Sequence, residues 1–127
     1  MGAVVLGSSV VLALFDAEDA HHASALDAVR TVARDDRVVS AVTRAEVLVD
    51  ATRTGQVAHH PARVAAAFVV ADVDEPTAVG AARIRAEHPA LRLPDALILA
   101  TAAVLAADVL SADRRWAAVS PRVRVIG

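Results

Sequence analysis

Three acidic residues of this 127-residue chain stand where a carboxylate needs a reason to be. Glu46 closes SAVTRAE, Asp95 opens the segment DALILA in LPDALILA, and Asp113 ends VLSAD. The remainder of the Asp95 segment is almost wholly hydrophobic, and desolvating an unpaired charge there costs several kcal/mol, so Asp95 calls for a partner or a cation. Each of the three also has an ordinary structural role open to it. Thr43-Arg44-Ala45-Glu46 fits a capping box, Pro94-Asp95 fits a helix start with a charge favourable to the helix dipole, and Asp113 fits a helix cap. Brought to one place, the three carboxylates repel each other unless a divalent cation lies between them. Hard oxygen donors with no His or Cys among them suit Mg²⁺ or Mn²⁺ rather than Zn²⁺.

Such a site needs a scaffold that converges the three segments. Short apolar runs alternate with helical stretches along the chain. Strands are predicted at Ala3–Leu6, Val38–Ser40, Val69–Val73, Val109–Leu110 and Val123–Ile126. Helices are predicted from about Ser9 to Phe15, from Asp19 or Ala20 to about Arg34, and over Thr43–Thr54 with Gly55 as the stop. Further helices are expected at Pro61–Phe68, at Glu75–Glu87 before the turn at His88-Pro89, and at Pro94–Ala106, with a short helical turn over Asp113–Ala118. Alternation of this kind implies a parallel sheet covered on both faces, because parallel strands need crossover connections. Ligands of open α/β sheets sit at the carboxyl ends of the strands, near the switch point of the strand order. Asp113 directly follows the fourth strand, and Glu46 and Asp95 fall in the first turns of their helices.

Composition narrows the alternatives. A chain of 127 residues that is 56% hydrophobic and 22% charged reads as one globular domain able to bury its own core. Cysteine is absent, which removes disulfides, thiolate metal sites and cysteine nucleophiles and fits a reducing compartment. The apolar run Leu97–Ala107 is too short to span a membrane, and Ala3–Phe15 lacks a basic leader and reads as core, so a cytoplasmic location is the default expectation. All 13 basic residues are Arg. The absence of Lys sets aside phosphoacceptor receivers and Asp-dependent phosphatases, which need one beside the phosphoryl group. A net charge of -2 argues against a broad nucleic-acid surface but leaves room for a local cluster. Arg44, Arg92, Arg114 and Arg115 are the candidates for nucleic-acid phosphate contacts; solvation or pairing with a partner's carboxylates would occupy them equally well. Phe15, Phe68 and Trp116 are the only aromatics, which leaves little for bases to stack on. Neither His21-His22 nor His59-His60 suits a metal, since neighbours on a helix point about 100° apart.

Four segments, VVLGSSVVLALF, SAVTRAEVL, RLPDALILATA and VLSADRRW, together resemble the PIN-domain family, and within it the VapC-type toxins of toxin-antitoxin pairs. The resemblance covers essentially the whole chain as a single PIN domain over residues 1–127. It implies an α/β fold, a three-layer α/β/α sandwich with a central parallel sheet of four to five short strands. It also implies an Mg²⁺-dependent (or Mn²⁺-dependent) endoribonuclease hydrolysing RNA phosphodiester bonds, a homodimer, and neutralisation by a cognate VapB-like antitoxin. By resemblance, Glu46, Asp95 and Asp113 take catalytic, metal-binding roles, and Ser9, Thr43 and Ser111 supporting hydrogen bonds, although Ser9 and Thr43 would serve equally as helix caps. One position departs from the pattern. Where the family has its first metal-binding Asp, after strand one, this chain has Gly7. The expectation is weakened metal binding and low or absent cleavage, with Gly7→Asp restoring it. The alternative is a catalytically inactive PIN-like protein that acts through antitoxin or RNA binding.

Overall fold

Valine and leucine runs that are apolar at successive positions, rather than at alternate ones, form strands buried on both faces, and the three inner strands of the sheet here are built around them, whereas the two outer strands are largely exposed. The computed structural model describes residues 2–55 and 60–127. Five strands, β1 (Val4–Leu6), β2 (Arg37–Ser40), β3 (Val69–Ala71), β4 (Asp108–Ser111) and β5 (Val123–Val125), form one sheet in the order β3-β2-β1-β4-β5. All pairings are parallel, with Val5 opposite Val38 on one side and Val109 on the other. This is the α/β sandwich expected from the sequence.

The helices are α1 (Ser8–Phe15), α2 (His22–Arg30), α3 (Ala41–Arg53), α4 (His60–Ala67), α5 (Glu75–Glu87) and α6 (Leu93–Leu105), with 3₁₀ turns at Arg34–Asp36 and Arg114–Ala118. Side chains alternate along each strand, so the sheet carries two cores. Val4, Leu6, Val39 and Leu110 face α1, α2 and α4, where Val10, Val29 and Val64 meet them. Val5, Val38 and Val109 face α6, meeting Ile98, Leu99 and Ala102, and Trp116 joins this second core. Helix α5 packs on α6 through Ala81, Ala96 and Ala100, whose small side chains let the two axes approach closely. No helix among the described residues is long and apolar enough to cross a membrane.

Several expected boundaries move, for local reasons. The second helix begins at His22, because Asp19 folds the preceding residues into a turn, its carboxylate accepting from the His21 amide. It ends at Arg30, where the Thr31 hydroxyl donates to the Ala28 carbonyl, and Arg34–Asp36 is a separate 3₁₀ turn rather than its continuation. Helix α3 starts at Ala41, capped by the Ser40 hydroxyl, which accepts from the Val42 amide. The expected capping box of Thr43 and Glu46 is therefore not the start of this helix, and Glu46 lies in its second turn. The third strand stops at Ala71, since Asp74 caps α5. Of the histidine pairs, His22 is held by the Ala13 carbonyl, Nδ1 to O 2.7 Å. His59 lies outside the described residues, and the His60 side chain is likewise not described.

Candidate functional site

The switch point of the order β3-β2-β1-β4-β5 lies between β1 and β4, whose chains leave the sheet in opposite lateral directions and open a crevice at their carboxyl ends. Each strand delivers a feature there. Strand β1 is followed directly by Gly7, β2 runs through Ser40 into α3 with Thr43 and Glu46, and β4 ends at Ser111 ahead of Asp113. Helix α6 points its N-terminal turn, with Asp95, at the same edge.

Glu46 is held by a neighbour from α1. Ser8 Oγ donates to Glu46 Oε1 at 2.7 Å and lies 3.3 Å from Thr43 Oγ1, so Ser8, Thr43 and Glu46 form one polar group. Asp95 is buried, and the exposed guanidinium of Arg92 grips it with two bonds, Nε to Oδ2 at 3.1 Å and Nη2 to Oδ1 at 2.9 Å. The same Nη2 stands 3.9 Å from Glu46 Oε2. Asp113 caps the 3₁₀ turn that follows it, accepting from the Arg115 amide at 3.0 Å, and Arg115 returns to the carboxylate with Nε to Oδ1 at 3.0 Å and Nη2 to Oδ2 at 2.7 Å. Hydrogen bonding from the Arg115 side chain, against some desolvation, holds the Asp113 carboxyl below its ordinary value, and the charge of Arg92 acts in the same direction. Arg92 is raised above its ordinary value chiefly by its bonds to Asp95, with Glu46 contributing. The two arginines thus link the three carboxylates, Arg92 acting on Glu46, Asp95 and Asp113 and Arg115 on Asp95 and Asp113. A cleft of about 190 Å³ opens beside them, lined by His88, Leu91, Arg92, Asp95, Arg115 and Val119.

The other expected site residues fall as follows. Ser9 Oγ accepts from the Ala112 amide at 3.1 Å and Ser111 Oγ from the Asp113 amide at 3.0 Å, so both brace the loop that carries Asp113. Arg44 is half-buried with its Nη1 lacking a hydrogen-bond partner, and Arg114 is exposed. Ser8 was not singled out by the sequence. It precedes Ser9 at the start of one helix, and only the direction in which α1 leaves β1 decides which hydroxyl meets Glu46.

Gly7 has a neighbour of its own. A Cβ placed there would lie 3.2 Å from the Leu110 carbonyl oxygen and 3.3 and 3.4 Å from two carbons of the Trp116 six-membered ring. Trp116 is buried, and its Nε1 has no hydrogen-bond partner. A side chain at position 7 would therefore press on the indole, which would have to give by a few tenths of an ångström.

Oxygen donors of the right kind for a hard divalent cation are present, but their arrangement does not suit one. Among the described residues, no three His, Cys, Asp or Glu side chains group closely enough to hold a metal ion. Both oxygens of Asp95 and both of Asp113 face guanidinium nitrogens, and position 7 supplies no donor.

The model of the PIN domain family matches residues 4–120. No curated protein sequence matches the chain. Among solved structures, a toxin-antitoxin complex from Klebsiella pneumoniae contains a similar chain, with a TM-score of 0.84 at 23% identity, covering 97% of each chain. VapBC2 from Rickettsia felis, bound to a DNA fragment from its promoter, gives 0.79 at 12% identity over 98% of this chain and 99% of that one. VapC20 from Mycobacterium tuberculosis, a toxin that cleaves the sarcin-ricin loop, gives 0.70 at 18% identity over 84% and 87%. At these identities the likeness is one of fold.

Proposed function

The chain belongs to the PIN domain family, and from that premise we propose that it is a VapC-like toxin, a single PIN domain over residues 1–127 derived from Mg²⁺-dependent endoribonucleases, whose own cleavage activity is impaired. The observation that carries this reading is Gly7 at the carboxyl end of β1 with the Trp116 ring packed against it, beside Glu46, Asp95 and Asp113. The three carboxylates occupy the crevice at the switch point, which supports an ancestral phosphodiesterase site. The missing side chain at position 7 and the tight contact with the indole there support its impairment. In this reading the substrate is RNA, the regulator is a cognate VapB-like antitoxin, the working form is a cytoplasmic homodimer, and Mg²⁺ or Mn²⁺ is the cation of the intact site. When bound, such a cation would lower the pKa of an attacking water and offset charge on the phosphate.

The protein's own groups already divide the work. Ser8, with Thr43 beside it, orients the Glu46 carboxylate; Ser9 and Ser111 hold the loop that presents Asp113. Arg114 is free to meet a backbone phosphate, whereas Arg92 and Arg115 are engaged with carboxylates and must let go before they could do so.

A second reading rests on the same Gly7–Trp116 contact: an inactive PIN-like protein that acts by binding antitoxin or RNA. Cleavage assays on structured RNA, with Mg²⁺ or Mn²⁺, separate the two. The chain itself is expected to cleave at or near background. Gly7→Asp in a Trp116→Phe background, which removes the ring edge facing position 7, is expected to gain cleavage that EDTA and Asp95→Asn abolish. Vigorous cleavage by the unaltered chain overturns the impairment. A folded, metal-binding Gly7→Asp/Trp116→Phe protein that leaves RNA intact favours the binding reading.

A further inference from the structure

We propose that Arg92 and Arg115 serve as built-in counter-cations of the carboxylate cluster, standing where a divalent cation would otherwise stand and excluding it. The inference rests on reading the crevice carboxylates as a family metal site, but it concerns what now neutralises them.

Three observations carry it. The first is the way the oxygens are used. Each arginine addresses both oxygens of one carboxylate through Nε and Nη2, the fork geometry that gives arginine its strongest carboxylate pairing. A cation entering the crevice would have to take those same oxygens. The second is the bridging position of Arg92 Nη2. It bonds Asp95 of α6 at 2.9 Å and approaches Glu46 of α3 to 3.9 Å, so one nitrogen lies between carboxylates from two elements. Arg30 with Asp27 has the same i,i+3 spacing as Arg92 with Asp95, but that pair is looser, at 3.8 Å, and both of its side chains are exposed. The third is the asymmetry of exposure. The Asp95 side chain is 8% exposed and the Arg92 side chain 67% exposed, so a buried negative charge is covered by a cation that reaches it from solvent. The buried carboxylate needs some partner, and the arginine can swing away without leaving a buried charge of its own.

Charge count agrees with displacement rather than coexistence. Two guanidiniums against three carboxylates leave a single net negative charge, and the position that would have supplied one more acid is Gly7. A divalent ion added beside both arginines would make the crevice net positive.

Mn²⁺ binding by the whole protein tests this directly, read from the loss of the free-ion electron paramagnetic resonance signal. The unaltered chain is expected to bind weakly, and Arg92→Gln/Arg115→Gln to bind tighter by about tenfold or more, the scale of a lost charged hydrogen-bond pair. Adding Asp95→Asn to that double variant is expected to return the affinity to the original level, which locates the gain at this cluster. A folded double variant that binds no tighter than the unaltered chain overturns the proposal, as does a gain that survives Asp95→Asn. Should the double variant unfold, Arg92→Lys/Arg115→Lys keeps the charges and removes the forks; a smaller gain is then expected, and no gain overturns it. RNA cleavage is not the readout, so an inert nuclease site and a failed counter-cation give different results.

Discussion

Gly7 and Trp116 are best understood as a pair. Glycine at 7 is not required by its backbone, since φ -69° and ψ 160° are open to any residue. What restricts the position is contact: a Cβ at 3.2 Å from a main-chain oxygen and 3.3 Å from the indole must push something aside, and the Leu110 carbonyl is fixed by accepting the Gly7 amide at 2.8 Å. The indole is the part that can give. Gly7→Ala alone is therefore expected to lose about 1–3 kcal/mol, the usual cost of overpacking. In a Trp116→Phe background, the same change is expected to cost markedly less. A double-mutant cycle from urea midpoints should return a coupling of about 0.5–3 kcal/mol; additive effects would show that the ring does not occupy that space. The sequence-based expectation that Gly7→Asp alone restores the site is thereby sharpened, because the aspartate must first find room.

At the scale of elements, helix ends are where sequence patterning was least informative and where local chemistry decides. Helix α6 closes with Ala106 in the left-handed region, φ 51° and ψ 43°, followed by the Ala107 amide donating to the Ala102 carbonyl at 2.9 Å. Glycine is the residue that such a turn favours, and alanine pays about 1–2 kcal/mol of steric strain. Ala106→Gly is accordingly expected to raise stability by up to about 1 kcal/mol after the added freedom of the unfolded chain is subtracted; an unchanged or lowered thermal midpoint would contradict it. Helix α5 depends on Asp74, which accepts from the Thr77 hydroxyl at 2.6 Å and the Thr77 amide at 3.0 Å. Those bonds, the hydroxyl's foremost, hold the Asp74 carboxyl below its ordinary 3.8. A carboxyl depressed in the folded state stabilises above its unfolded value and loses that benefit as pH falls through the folded one. The gap in urea midpoint between the unaltered chain and Asp74→Ala is thus expected to be constant near neutrality and to close only below about pH 4. The same local chemistry explains what the sequence could not resolve. Periodicity placed a helix around residues 20–34, but the turn at Asp19 and the Thr31 side chain trim both ends, and no spacing rule chooses Ser8 over Ser9 as the neighbour of Glu46.

For the molecule as a whole, the legible part was the alternation of strand and helix, because a parallel sheet covered on both faces leaves short apolar runs such as VVL at β1 and VL within β4 in the sequence. The crevice position of Glu46, Asp95 and Asp113 followed from that topology. The arginine forks are local, Arg92 to Asp95 three residues on and Arg115 to Asp113 two residues back, but the rotamers that turn each guanidinium onto both carboxylate oxygens leave no periodic trace, nor does the approach of Arg92 to Glu46 on another helix. The topology also makes the site and the core one problem. Strand β1 is central, pairing β2 on one edge and β4 on the other, and its Leu6 is fully buried one residue before Gly7. Leu6→Ala opens a cavity between the sheet and α1 that neighbours can fill only by shifting β1, and is expected to cost about 2–5 kcal/mol, a large share of the roughly 5–15 kcal/mol that holds such a domain together. Val125, 38% exposed on edge strand β5, is expected to tolerate alanine within about 0.5 kcal/mol. Urea unfolding of the two variants decides this. Equal losses would mean that β1 is not the centre of stability, and the carboxylate crevice at its end would then lack the rigid floor that keeps Gly7 and Trp116 in contact.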